Sequence, residues 1–247
     1  MQETETSRRR FLTLGGVAAA AAATGGGVGY LFGGRDSGGG LEQLDGPAKS
    51  ADEALARLMA GNKRYVQGRS MPINEGNARR AEGVQGQKPF ASIFSCVDSR
   101  VPPELVFDRG IGDLFVARTA GQVLDNAVLG SLQFGVAELK IPLLLVLGHE
   151  KCGAVKATIE TLEAKASAPA SINFLVESIA PAVRNAKPTI GEDHGDVLHN
   201  AVQANVDLVV AKLRTAPILV DAIASGTLRV VGGVYDLGSG AVRISVL

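Results

Sequence analysis

Two cysteines and a histidine have the residue types and the positions that would suit a metal ion. Cys96 lies in "FSCVDSRVPPE", and Cys152 lies with His149 in "LVLGHEKCGAV"; each stretch directly follows an apolar run. Two thiolates and an imidazole are ligands that Zn²⁺ favours. His149 and Cys152 are three residues apart, so both can reach one metal where a strand turns into a helix. Three protein ligands would leave one coordination position open, as in catalytic zinc sites.

Other interpretations of the same residues stay open at this point. The chain has only two cysteines, and in an exported protein they could form one disulfide. They could also be a buried, inert pair beside an unrelated histidine. A thiol-redox centre is disfavoured because the chain contains no Cys-x-x-Cys motif.

A charged pair follows the first cysteine. Asp98 and Arg100 are two residues apart, so in an extended loop their side chains can project the same way. Pairing with arginine keeps a carboxylate ionised and fixes its direction. Such a carboxylate could hold a metal-bound hydroxide or occupy the fourth zinc position itself. The alternative is a surface ion pair that contributes little.

The overall composition narrows the classes of function. A chain of 247 residues, 46% of them apolar, fits one large domain or two small ones. The formal net charge is zero, which gives no electrostatic reason to expect nucleic acid as a partner. Aromatic residues make up 4% and tryptophan is absent, which also argues against a base-stacking surface.

The beginning of the chain differs in kind from the rest. Consecutive arginines precede Phe-Leu in "SRRRFLTLGG", and a mildly apolar Ala/Gly/Val/Leu stretch and the linker "GGRDSGGG" follow. This pattern predicts a twin-arginine export signal, and therefore a periplasmic, cell-envelope or secreted protein. The alternative is a membrane anchor that stays uncleaved. We therefore expect residues 1–46 to form the signal or anchor with its linker and residues 47–247 to form a zinc domain.

Strands and helices alternate through the rest of the chain. This order predicts an α/β fold with a central, mostly parallel sheet of four parallel strands and an antiparallel edge strand, flanked by helices. An amphipathic N-terminal helical arm begins at Ser50, with Ser50 and Glu53 as a capping box, and ends near Gln67. Cys96 and His149 follow predicted strands directly, and in parallel sheets functional groups gather at such carboxyl ends. Strands are predicted at residues 89–95, 113–119, 141–148, 228–237 and 241–247. Further helices are predicted at residues 77–84, 124–140, 154–165, 172–187 and 196–215.

Taken together, "CVDSR" and "HEKCGAV" resemble the β-class carbonic anhydrases. The resemblance extends from about residue 50 and includes "FVARTAGQV", "SLQFGVAELKIPLLLVLGH" and "GGVYDLGSG". It implies a carbonate dehydratase with one Zn²⁺ per chain, in which zinc-bound hydroxide attacks carbon dioxide to give bicarbonate and a proton. It implies Cys96, His149 and Cys152 as zinc ligands and Asp98 with Arg100 as the catalytic dyad.

The resemblance also implies substrate-binding positions. Gly153 follows the second cysteine, where a backbone N–H can face the substrate. Gln87 matches a glutamine that contacts substrate in the plant-like branch, and Phe115 matches an apolar pocket wall. Phe134 falls where that branch often has tyrosine. Ile93 stands where the bicarbonate-inhibited branch has tryptophan, which disfavours a non-catalytic bicarbonate site.

The resemblance also implies an assembly of several chains. The family resemblance implies a homodimer or a higher even oligomer, with the helix from Ser50 packing on the partner and the pocket near the interface.

His194 and His199 are candidate proton shuttles, with a plain helix-surface role as the alternative. Two rival functions are hydrolysis of carbonyl sulfide or carbon disulfide on the same scaffold and a non-catalytic zinc-binding envelope protein. Two thiolates neutralise the charge of Zn²⁺ and make it a weaker Lewis acid than a zinc ion held by three histidines. The pKa of its bound water should therefore lie above the value of about 7 found at three-histidine sites, and we expect activity to rise above that pH.

Overall fold

The computed structural model describes residues 46–186 and 197–245. The predicted export signal or anchor and nearly all of its linker lie outside these ranges, and so does His194. The export signal, the boundary at residue 47 and any attachment to a membrane therefore stay predictions. Within the ranges described, no helix combines the length and the apolar character needed to cross a bilayer.

A single five-stranded sheet forms the centre of the described chain. Its strands are β1 (Ala91–Cys96), β2 (Leu114–Thr119), β3 (Leu143–His149), β4 (Arg229–Tyr235) and β5 (Val242–Ser245). The spatial order is β2-β1-β3-β4-β5. Strands β1 to β4 are parallel, and β5 pairs antiparallel with β4. The predicted arrangement of four parallel strands and an antiparallel edge strand is confirmed.

Strand β3 is central because its side chains are apolar on both faces. All seven of its residues are buried. Leu144 and Val146 join one hydrophobic cluster, while Leu143, Leu145 and Leu147 join a second cluster on the opposite face. A continuous apolar run is typical of a parallel strand that is covered by helices on both sides.

Helices cover both faces of this sheet. They are α1 (Ala51–Val66), α2 (Asn77–Gly83), α3 (Pro103–Val106), α4 (Asn126–Ala137), α5 (Gly153–Glu163), α6 (Ile172–Asn185), α7 (Val197–Arg214) and α8 (Leu219–Ala224). Helix α7 packs on β3 and β4 and contacts α5 and α6, whereas α1 contacts β3 and α3. The apolar face of the predicted N-terminal arm therefore packs on its own chain, and its contact with a partner stays a prediction.

The start of α1 differs in one respect from the predicted capping box. The Ser50 hydroxyl accepts the Glu53 N–H at 3.1 Å, as expected of an N-cap. The Glu53 carboxylate accepts the N–H of Lys49 at 2.9 Å, whereas a capping box would use the N–H of Ser50. The reciprocal half of the prediction is wrong. The other Glu53 oxygen is drawn into an ion pair with Arg57 at 2.5 Å, one turn further along.

Candidate metal centre

Cys96, His149 and Cys152 converge at the carboxyl edge of the sheet. One ligand atom from each lies within 4.8 Å of the others, and all three residues are buried. Cys96 ends β1, His149 ends β3, and these two strands are parallel neighbours. The left-handed conformation of Lys151, with φ of 53°, turns the chain back so that Cys152 precedes α5 directly beside them. Within residues 46–186 and 197–245, no other such group of three ligand residues occurs.

The imidazole of His149 is oriented for coordination. Its Nδ1 lies 2.9 Å from the carbonyl oxygen of Glu150, and because a carbonyl can only accept, Nδ1 carries the proton. Its Nε2 is buried and has no hydrogen-bond partner among the described residues. A buried nitrogen without a partner is costly, whereas a metal ion would use its lone pair. The residues at this site therefore fit a bound Zn²⁺.

The two cysteines form no disulfide, and the pKa values of their thiol groups are shifted in opposite directions. Both are buried and unbridged, so the disulfide alternative does not describe this structure. The hydrogen bond from Cys152, helped by the backbone N–H of Gly121, outweighs burial and lowers the pKa of Cys96 to about 4. The same contact with Cys96, together with burial, raises the pKa of the Cys152 thiol. These opposite shifts favour a thiolate at Cys96 and a protonated thiol at Cys152.

Asp98 and Arg100 form a closed pair beside these ligands. Arg100 donates its backbone N–H and its Nε to Asp98 Oδ1, both at 2.9 Å, and its Nη2 to Oδ2 at 2.7 Å. The bond from the Arg100 side chain holds the pKa of Asp98 well below its usual range. Oδ2 lies 3.8 Å from Nε2 of His149. The expectation that both side chains project the same way is confirmed, and the carboxylate borders the ligand cluster.

Two residues that the sequence analysis did not single out hold the Cys96 strand end. Arg118 on β2 donates from Nε to the carbonyl of Cys96 at 2.8 Å and from Nη2 to the carbonyl of Asp98 at 2.7 Å. Gly121 donates its N–H to the Cys96 sulfur at 3.3 Å. Both residues belong to the segment "FVARTAGQV", which resembles the family. These roles, however, depend on the register that pairs Arg118 with Ser95.

Gly153 is the first residue of α5 and adjoins the ligand Cys152. The first N–H groups of a helix have no partner within the helix, so they can bind an anion. The space where a side chain would stand on Gly153 is open, with no atom within 4 Å. That its N–H faces substrate stays a prediction.

The remaining predicted pocket residues are not brought to the metal ligands within one chain. Gln87 precedes β1, whereas Cys96 ends it, so the two lie at opposite ends of that strand. Phe115 pairs with Ser92, about 13 Å from the Cys96 end at about 3.3 Å per residue. The side chain of Phe134 on α4 is half exposed. Their contact with substrate stays a prediction.

His199, a candidate proton shuttle, lies in an ion-pair cluster. Its Nδ1 is 2.8 Å from Glu150 Oε1, and Arg243 Nη2 donates to the same oxygen at 3.0 Å. Glu150 is also the residue whose carbonyl orients His149. The cluster links His199 to the metal centre through one residue, and its role in proton transfer stays a prediction.

Comparison with known proteins identifies relatives across most of the chain. The family model described as "Carbonic anhydrase" matches residues 91–242. A carbonic anhydrase from Mycolicibacterium smegmatis is 39% identical over 200 residues, which cover 80% of this chain and 95% of that protein.

Solved structures share the fold. The β-carbonic anhydrase CcaA has a TM-score of 0.60 at 25% identity, covering 77% of this chain and 94% of that one. A tetrameric β-carbonic anhydrase from the filamentous ascomycete Sordaria macrospora has a TM-score of 0.62 at 20% identity, covering 77% of this chain and 95% of that one. The matched region contains Cys96, His149 and Cys152. The chain therefore belongs to the β-carbonic anhydrase family.

Proposed function

We propose a division of roles among the residues by which this zinc-dependent carbonic anhydrase catalyses the reversible hydration of carbon dioxide to bicarbonate and a proton. Cys96, His149 and Cys152 hold one Zn²⁺, and Asp98 with Arg100 orients the reacting water. The observation that carries the proposal is the convergence of three buried ligand atoms within 4.8 Å, with an arginine-bound carboxylate beside them. When bound, zinc supplies a Lewis acid that lowers the pKa of water from 15.7 towards about 7.

The carboxylate of Asp98 orients the nucleophile. Because it is ionised, it can only accept hydrogen bonds. Arg100 occupies part of its lone pairs and fixes its plane, while Oδ2 remains directed towards the ligand cluster. Oδ2 accepts the O–H of the attacking water, so that the oxygen lone pair points at the carbon of CO₂. Holding the reactants in this alignment removes part of the entropic barrier.

The N-terminus of α5 binds the product anion. Gly153 contributes an N–H with open space beside it, and the helix dipole adds a partial positive charge at this end. Bicarbonate carries a negative charge that carbon dioxide lacks. The N–H group therefore interacts more strongly with the reaction product and the preceding transition state than with CO₂.

The assembly is a homodimer or a higher even oligomer. Gln87 and Phe115 lie away from the metal ligands of their own chain. A second copy can bring Gln87, Phe115 and Phe134 to the pocket, which gives them the substrate contacts that the family resemblance implies. Phe134 and Val97 are each about half exposed, at 52%, and would be covered by that copy.

The first 46 residues direct export by a twin-arginine route to the periplasm, the cell envelope or the exterior. This proposal is supported by the consecutive arginines and by the fact that the family match begins well after them. Cell fractionation tests it: the protein is expected outside the cytoplasm, and replacing Arg9 and Arg10 by lysine should retain it inside. Export that persists in the lysine variant would exclude this route.

The activity itself is tested by stopped-flow hydration of CO₂ together with metal analysis of the purified protein. About one zinc per chain and a rate that increases with pH are expected. Carbonyl sulfide and carbon disulfide are assayed alongside, because the same ligands could serve those gases. Faster turnover of either gas, or full activity in well-folded protein without metal, would refute the assignment.

A further inference from the structure

The turn after β2 holds an amide against the sulfur of Cys96. Gly121 donates its N–H to Cys96 Sγ at 3.3 Å. Gly121 and Gln122 both have left-handed backbones, with φ of 62° and 43°. A left-handed glutamine is uncommon, so the surroundings rather than local preference must maintain this turn. From one side, the Ile179 side chain lies only 2.7 Å from where a Cβ on residue 121 would stand.

Asn205 holds the same residue from the other side. Its side-chain amide Nδ2 donates to the carbonyl of Gly121 at 2.8 Å. Asn205 is 2% exposed and lies within α7, the helix that packs on β3. The carbonyl and the N–H of one residue are linked by only two rotatable bonds. Fixing the carbonyl therefore restricts how far the N–H of Gly121 can turn away from the sulfur.

A hydrogen bond to a thiolate ligand changes how strongly that ligand donates charge to a metal. Partners outside the ligand set orient the ligands and tune the metal, and hydrogen bonds to sulfur do this in other thiolate sites. Two thiolates already neutralise the charge of Zn²⁺ here. A bond that withdraws electron density from Cys96 therefore preserves part of the acidity of the metal.

We propose that Asn205 is a positioning residue of the metal centre, which fixes Gly121 so that its N–H stays bonded to the Cys96 sulfur. This inference rests on the proposed role of Cys96 as a zinc ligand. It concerns a residue of α7 that is far from the ligands in sequence and is not itself a ligand.

A merely structural role is the competing explanation, and the chain offers a matched control. Asn62 is also a buried asparagine, at 3% exposure. Its amide donates to the carbonyls of Val106 and Gly240, at 3.0 and 2.8 Å, and its oxygen accepts the N–H of Val242 at 2.9 Å. Among the described residues, none of these partners is hydrogen-bonded to Cys96, His149 or Cys152.

The experiment compares full-length wild type, Asn205→Leu and Asn62→Leu. Affinity for Zn²⁺ is measured by competition with a chelator, and the thiolate-to-metal absorption band is measured after loading with Co²⁺. We expect Asn205→Leu to weaken metal binding about 10- to 100-fold and to shift the band to longer wavelength. Asn62→Leu should lower the Tm without changing either metal property.

Equal metal affinity and an unshifted band in Asn205→Leu would overturn the inference, and so would equal changes in both variants. If Asn205→Leu does not fold, the same metal measurements are made on Thr119→Val. The Thr119 hydroxyl closes the same turn by donating to the carbonyl of Val123 at 2.8 Å. A smaller shift in the same direction supports the inference and no shift overturns it. Wild type that binds no metal would instead refute the ligand assignment itself.

Discussion

At the scale of single residues, the two buried sulfurs of the candidate metal centre have pKa values shifted in opposite directions. The contact between them lowers the pKa of Cys96 to about 4 and raises that of Cys152. A depressed pKa means that Cys96 is ionised across the neutral range and gains a proton only as the pH falls through about 4. Cys152 keeps its proton until a metal ion displaces it.

This difference predicts the proton balance of metal binding. At pH 8, Cys96 has already lost its proton, so binding of Zn²⁺ should release one proton from Cys152 and up to one more as the bound water ionises. Isothermal titration in two buffers with different ionisation enthalpies measures the number released. Release of more than two protons would mean that both thiols were protonated beforehand and would contradict the assigned charges.

Asp98 gives a second prediction for a single residue. Asp98→Asn keeps the shape of the side chain but removes the charge, so we expect turnover to fall by at least about 100-fold while zinc is retained. Stopped-flow assays and metal analysis measure both. Asp125→Asn is the matched control, because Asp125 is an exposed N-cap of α4 and asparagine caps helices equally well. A fully active Asp98→Asn would remove the carboxylate from the mechanism.

The same carboxylate should not contribute to the pH dependence of the activity. Arg100 depresses the pKa of Asp98. The ion pair therefore persists as the pH falls through the range in which an ordinary aspartate gains a proton, and it is lost only in strong acid. Asp98 therefore does not titrate between pH 6 and 9. We expect the rise of activity above a pH of about 7 to come from the reacting water alone.

At the scale of helices and strands, parallel register explains both what the sequence predicted and what it missed. Apolar runs predicted all five strands, and the observed strand ends differ from the predicted ones by a few residues. Helices α3 and α8 were missed because four and six residues are too short to show periodicity. Cys96, His149 and Cys152 were predictable because their types and spacing carry the chemistry. Gly121 and Asn205 were not, since their contacts depend on how β2 and α7 pack.

The turn after β2 yields a prediction of its own. Gly121→Ala adds a Cβ 2.7 Å from Ile179 to a residue with φ of 62°, and we expect a loss of about 1–3 kcal/mol in the free energy of unfolding. Gly130→Ala, in α4 with open space around it, should be neutral or stabilising by about 0.5–1 kcal/mol. Thermal denaturation compares the two. A Gly121→Ala variant as stable as Gly130→Ala would show that the turn is not strained.

At the scale of the whole molecule, one chain contains the metal ligands and the charged pair but not a complete predicted pocket. Gln87 lies at the opposite end of β1 from Cys96. Sequence alone could suggest a contact of Gln87 with substrate only through family resemblance. Periodicity carries no information about which copy supplies a residue.

Mixing two inactive variants tests whether a second copy completes the site. Cys96→Ala removes a metal ligand, and Gln87→Ala removes the predicted substrate contact. If Gln87 acts on the partner's site, unfolding and refolding an equal mixture should restore about a quarter of wild-type activity, since half of the dimers are mixed and each has one complete site. A mixture no more active than its separately refolded parts would indicate that Gln87 does not act across the interface.

X-ray absorption at the zinc edge of the purified, active protein tests the central claim most directly, because it reports the atoms bound to the metal. Coordination by Cys96, Cys152 and His149 predicts two sulfurs at about 2.3 Å and nitrogen or oxygen neighbours at about 2.0–2.2 Å. A spectrum without sulfur, or with only one sulfur, would contradict the assignment of these three residues as the ligands of the catalytic zinc.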